Sequence, residues 1–112
     1  MDIEIATTGN IARVKLRGRL DTPGVDQVEA KFTAAVVPDG RSAVVDLREV
    51  SFIASMGLRM FIGIAKQLRR RNARMVLFAP QTQVNEVFQT VLLRDIMPIV
   101  ADEAEAVRFA AS

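Results

Sequence analysis

The stretch Ala43-Val44-Val45-Asp46-Leu47-Arg48-Glu49-Val50-Ser51-Phe52-Ile53-Ala54-Ser55-Met56-Gly57-Leu58 changes its periodicity once, close to Ala54. Its first five residues are a nearly continuous apolar run, the pattern of a strand buried on both faces. From Ser55 to about Arg71 the period becomes helical. Leu58, Phe61, Ile62, Ala65 and Leu68 fall on one face predicted to be core, with Arg59, Lys66 and Arg70 opposite. A second apolar run, Met75-Val76-Leu77-Phe78-Ala79, follows. Strand, helix and strand in this order form the βαβ unit of a parallel sheet joined by right-handed crossovers.

On the amino-terminal side, Ile11 to Leu20 alternates, with Ala12, Val14, Leu16 and Leu20 on one face and Arg13, Lys15 and Arg17 on the other. That is a half-buried strand. Ile3 and Ile5 show the same period, and Thr8-Gly9-Asn10 is a turn, so the chain is predicted to open with an antiparallel hairpin. Thr22 is expected to cap the next helix, with Pro23 at its first position and Val25, Val28, Phe32 and Ala35 as its buried stripe. On the carboxyl side, Val84, Val87, Phe88 and Val91 make one amphipathic face. Pro98 marks a short edge strand, and Asp102 caps a last helix that buries Ala106, Val107 and Ala110. The expected fold class is α/β: order β-β-α-β-α-β-α-β-α, a mixed sheet of about five strands with about four helices, and one domain over residues 1–112.

Half of the 112 residues are apolar and a quarter charged, enough for one well-packed core. With no Cys and no His, disulfides, thiolate metal sites and Ser/His/Asp catalysis are removed. No Gly-rich phosphate loop or G-x-G-x-x-G is present. Asp21, Asp46 and Glu49 are the carboxylates near the Ser55 turn, and such acids cap or solvate loops. The expectation is a binding protein without enzymatic activity, metal or cofactor. Met1 to Thr8 has two acids and no apolar run, and no segment approaches the roughly 18 apolar residues of a membrane span, so the cytoplasm is the expected location without membrane insertion. The net charge is only +2. Arg69, Arg70, Arg71 and Arg74 end a helix, where cations suit the dipole, so no direct nucleic-acid contact is expected.

Ser55 stands where a helix start leaves backbone N–H groups unpaired. It either caps those groups itself or offers its hydroxyl where a phosphoryl group would be favoured. Open α/β sheets place functional sites at this end of a parallel strand. Met56 and Met60 project beside Gly63 and Gln67 near the polar face, as an apolar patch covered either by a loop or by a partner. Gly57 allows either close approach of a partner or close helix-sheet packing.

The run Val45 to Leu58 resembles the signature of STAS domains, especially bacterial anti-sigma factor antagonists, and Gly18-Arg19-Leu20-Asp21 resembles that family's other recurring block. The resemblance extends to the order of elements over nearly the whole chain. It implies that Ser55 is a phosphoacceptor and that the partner is an anti-sigma factor and serine kinase of the ATPase-kinase type. The unmodified form sequesters this partner, the phosphorylated form releases it, and a serine phosphatase resets the switch. The expected partner surface comprises Asp21, Thr22, Ala54, Met56, Gly57, Arg59 and Met60, and a weak homodimer is compatible with the reading. Many family members carry Asp-Ser-Ser-Gly or Asp-Ser-Thr-Gly where this chain has Ala54-Ser55-Met56-Gly57. The alternative is a non-switching structural STAS subunit of a sensory or lipid-transport complex, in which Ser55 is only a cap.

Overall fold

Alternation along the strands decides which side of the sheet each residue faces, and the result is a core of unequal halves. The computed structural model describes residues 1–90 and 96–111. Strands β1 (Asp2–Thr8) and β2 (Ile11–Leu20) form the hairpin, with Asp2 opposite Arg17 and Thr8 opposite Ile11. There follow α1 (Thr22–Val36), β3 (Ser42–Ile53), α2 (Ser55–Arg70), β4 (Met75–Phe78), α3 (Thr82–Gln89), β5 (Ile99–Val100) and α4 (Glu103–Ala111). The sheet runs β1-β2-β3-β4-β5; only the first pair is antiparallel. The class, the element order and the mixed five-stranded sheet are those expected. No helix of the described residues is long and apolar enough to cross a membrane.

Ala12, Val14, Leu16 and Leu20 of β2 and Ala43, Val45, Leu47, Val50 and Ile53 of β3 are buried in the larger core, beneath α1, α2 and α3. Phe61 of α2 lies at its centre, edge-on to Phe32 of α1 at 6.2 Å and tilted against Phe88 of α3 at 5.9 Å. On the other face α4 lays Ala106 and Ala110 on Val44, Val76 and Phe78. Two covered faces explain the apolar runs of β3 and β4, and one explains the alternation of β2.

Three sequence expectations shift. The cap of α1 is Asp21, not Thr22: Asp21 is extended and its Oδ1 accepts the Gly24 amide at 2.9 Å, while Thr22 is already helical. Its stripe passes through the fully buried Val36, leaving Ala35 half-buried. In α2 the buried line is Gly57, Met60, Phe61, Ile64, Ala65 and Leu68, with Leu58 and Ile62 only half-buried. Gly57 is the physical reason. A Cβ there would lie 2.9 Å from Ile53 Cγ1, 3.0 Å from Leu20 Cβ and 3.1 Å from the Leu20 carbonyl, so the helix touches the sheet along the ridge that starts at this glycine. Asp102 does cap α4, accepting the Glu105 amide at 2.9 Å, and Val107 is half-buried. Val91 lies outside the described residues.

Glycine-to-alanine substitutions should therefore rank in stability by the space available. At Gly24 a Cβ would sit 2.0 Å from the Arg19 carbonyl oxygen, and Gly24→Ala is expected to cost about 3 kcal/mol. Gly57→Ala should cost about 1–2 kcal/mol. At Gly63 a Cβ would meet nothing within 4 Å, and Gly63→Ala should stabilise by about 0.5–1 kcal/mol. Urea unfolding of the three variants checks the order.

Candidate functional site

Two turns meet at the carboxyl ends of β2 and β3. Leu20 pairs with Ile53 in register, and the Ala54 amide donates to the Leu20 carbonyl at 3.1 Å, so the turn entering α2 is tied to the turn entering α1. This is the edge of an open α/β sheet at which binding sites form.

The Asp21 turn is closed by its own side chain. The Gly24 amide bond holds the Asp21 carboxyl below the usual carboxylate range, against the effect of desolvation and with help from Arg19, whose Nε lies 3.5 Å from Oδ2. Arg19 in turn lies 4.2 Å from the centroid of the ring of Phe52, its register partner on β3, a cation–π contact between the two strand ends that lead into the turns. Sequence reasoning missed Gly24 and this contact. A glycine in the first turn of a helix, where it costs propensity, was the available signal for Gly24.

The start of α2 is built differently. Its cap position is occupied by Ala54, extended at φ −124° and ψ −175°, and no side chain caps the first turn. Ser55 is exposed and is the first helical residue, so it does not act as the cap that its residue type suggested. The Ala54 carbonyl accepts from Gly57 and Leu58 at 3.0 and 3.2 Å. The first turn contains no acid either. What remains is a hydroxyl on the surface at the positive end of a 16-residue helix.

The expected partner residues divide. Thr22 and Arg59 are exposed; Asp21, Ala54 and Met56 are half-buried at the surface. Met60, only 2 % exposed, belongs to the core, so the patch of two exposed methionines does not exist. Gly57 is buried against Leu20 and Ile53 and serves packing rather than contact. Both corrections follow from the ridge on which α2 rests.

A concavity of about 340 Å³ lies on the other face of the sheet, among Glu4, Arg13, Lys15, Asp46, Arg48, Phe78 and Glu103. Its charges pair with one another or with neighbours: Arg13 with Glu103 at 3.2 Å, Lys15 with Glu49 at 3.0 Å and Arg48 with Asp46 at 2.7 Å. Burial of Asp46 raises its pKa, but the Arg48 side chain and amide outweigh that and hold it below the usual range. The acid is thus a satisfied structural carboxylate. Among the described residues no group of three or more His, Cys, Asp or Glu could hold a metal ion.

A small α/β domain that presents a serine at the open start of a helix, beside a second turn closed by a side-chain cap, has the make-up of a regulatory binding module. Residues 2–106 match the STAS domain family, and the chain belongs to it. It is 35 % identical over 95 residues, 84 % of this chain and 82 % of the relative, to a Bordetella bronchiseptica protein assigned as the anti-sigma factor antagonist BtrV. It is 27 % identical over 99 residues, 88 % of this chain and 92 % of the relative, to the anti-sigma-B factor antagonist of Staphylococcus aureus. The anti-sigma factor antagonist SpoIIAA in its unphosphorylated form superposes with a TM-score of 0.79 at 26 % identity, covering 98 % of this chain and 96 % of that one. The phosphorylated Bacillus SpoIIAA gives 0.74 at 25 %, covering 96 % and 98 %. Such antagonists are regulatory proteins and not enzymes.

The Asp21 cap yields a pH test with a definite sign. A carboxyl whose pKa is lowered by folding stabilises the fold above its ordinary value of 3.8, and this contribution is lost as pH falls through the lowered value. Asp21→Ala should melt below wild type at neutral pH, and the two melting temperatures should converge as acid protonates Asp21. Scanning fluorimetry across the pH range measures this; a gap that persists in strong acid would contradict it.

Proposed function

We propose that the chain is a phosphorylation-controlled anti-sigma factor antagonist of the cytoplasm. Unmodified, it binds a partner that is both anti-sigma factor and serine kinase of the ATPase type. Phosphorylated on Ser55, it releases that partner, and a serine phosphatase restores it. The observation that carries the proposal is the exposure of Ser55 at a helix start without a side-chain cap.

The physics of the switch follows from that placement. A phosphoryl group adds about 1.5–2 negative charges. At the positive end of α2, next to first-turn amides, it is accommodated without remodelling the domain. Ala54 beside it contributes no competing negative charge. The disturbance falls on the partner, which would have to bury a strongly hydrated dianion against the surface formed by Asp21, Thr22, Ala54, Met56 and Arg59. The existence of a phosphorylated and an unphosphorylated structure for SpoIIAA, both similar to this chain, supports a switch that keeps one fold.

Immobilised wild-type protein should retain a kinase-like ATPase from lysate of its own host, and Ser55→Asp should lose it. Ser55→Ala should retain the same ATPase and take up no label from radioactive ATP. Both variants should unfold within about 0.5 kcal/mol of wild type, because Ser55 is exposed and caps nothing. Equal capture by wild type and Ser55→Asp would sink the proposal.

A further inference from the structure

Arg59 lies one turn beyond Ser55 on the outward face of α2, at the i+4 position, where side chains of a helix are neighbours about 5–6 Å apart at Cβ. Both residues are exposed. Among the described residues Arg59 makes no ion pair, hydrogen bond or ring contact. Nothing in its own helix competes for it, since α2 carries Arg59, Lys66, Arg69 and Arg70 and not one acid. Lys66 and the two last arginines approach the negative end of the helix, which suits them, but Arg59 stands in the second turn, near the positive end. The first turn lacks the acid that usually balances such a cation. From the neighbouring turn come Arg19 and Asp21, which engage each other.

We infer that Arg59 clamps the phosphate on Ser55, an inference that rests on Ser55 being phosphorylated as proposed above. An anion amino-terminal to a cation at i, i+4 is the favoured order for a helical pair, and a guanidinium can meet two phosphoryl oxygens at once. Phosphorylation then changes the docking surface twice: it adds a dianion, and it withdraws an exposed cation that the unmodified protein offers to its partner. It also relieves the unfavourable placement of Arg59 near the helix start, so the modified helix end is better ordered than the unmodified one.

The test uses the full chain with phosphoserine placed at position 55 during translation through an expanded genetic code, so that no kinase is required. Phosphorus NMR follows the second ionisation of the phosphate, which lies near 6 for an unperturbed phosphoserine. It should titrate below that in the wild-type background. Arg59→Gln should raise the midpoint by about 0.2–0.4 pH units, Arg59→Lys should raise it less, and the difference should vanish in about 1 M salt. Lys66→Gln, about 16 Å further along the helix, should leave the midpoint unchanged. Asp21→Asn should move it equally with and without Arg59. The same midpoint for wild type and Arg59→Gln overturns the clamp and attributes the whole shift to the helix end, leaving the Ser55 switch standing. Conversely, a serine that no host kinase modifies, in a protein whose phosphate responds to Arg59, removes the switch and keeps the clamp.

Discussion

The contact on which the site depends is the seat of Gly57 against Leu20 and Ile53. It brings the first turn of α2 down onto the ends of β2 and β3 and selects the ridge along which the helix is buried. It lets the Ala54 amide reach the Leu20 carbonyl. From this one close approach follow the burial of Met60, the half-exposure of Leu58 and Ile62, and the outward direction of Ser55 and Arg59. A larger residue would lift the helix start off the strands and change which side of α2 faces a partner. The surface that α2 exposes is therefore a by-product of how closely two backbones pack.

Most of the fold was legible in the sequence because it depends on period and on turn chemistry. The double-sided burial of Ala43 to Leu47 and of Met75 to Phe78, and the alternation of Ile11 to Leu20, each correspond to the number of layers covering that strand. The rotation of α2 was less legible, because an apolar stripe as broad as that of Met56 to Leu68 admits neighbouring settings. Hydropathy cannot choose between Met60 and Ile62 when both are apolar; only the space at Gly57 does. For the same reason Thr22 and Asp21 were equivalent as capping types, and the choice fell to the residue whose backbone stays extended. The position of Ser55 was legible and its local duty was not: one residue of offset turned an expected cap into an uncapped hydroxyl.

The two turns of the site show opposite electrostatic designs. At α1 the carboxylate of Asp21 meets the helix start and is itself held by the Gly24 amide and Arg19. At α2 the cap position is an alanine, the first turn has no acid, and a cation stands nearby. One helix end is capped within the fold; the first turn of the other has no side-chain cap and is left to solvent. On the far face of the sheet the charges are again self-satisfied, with Arg17 bridging Glu4 and Glu49 at 2.9 and 3.1 Å.

The bond between the Ala54 amide and the Leu20 carbonyl is made by main chain alone. The joint that aligns the two turns is consequently indifferent to the side chains at Thr22, Ala54 and Ser55. Substitution of those three side chains, proline at Ala54 excepted, therefore leaves the alignment of the two turns in place.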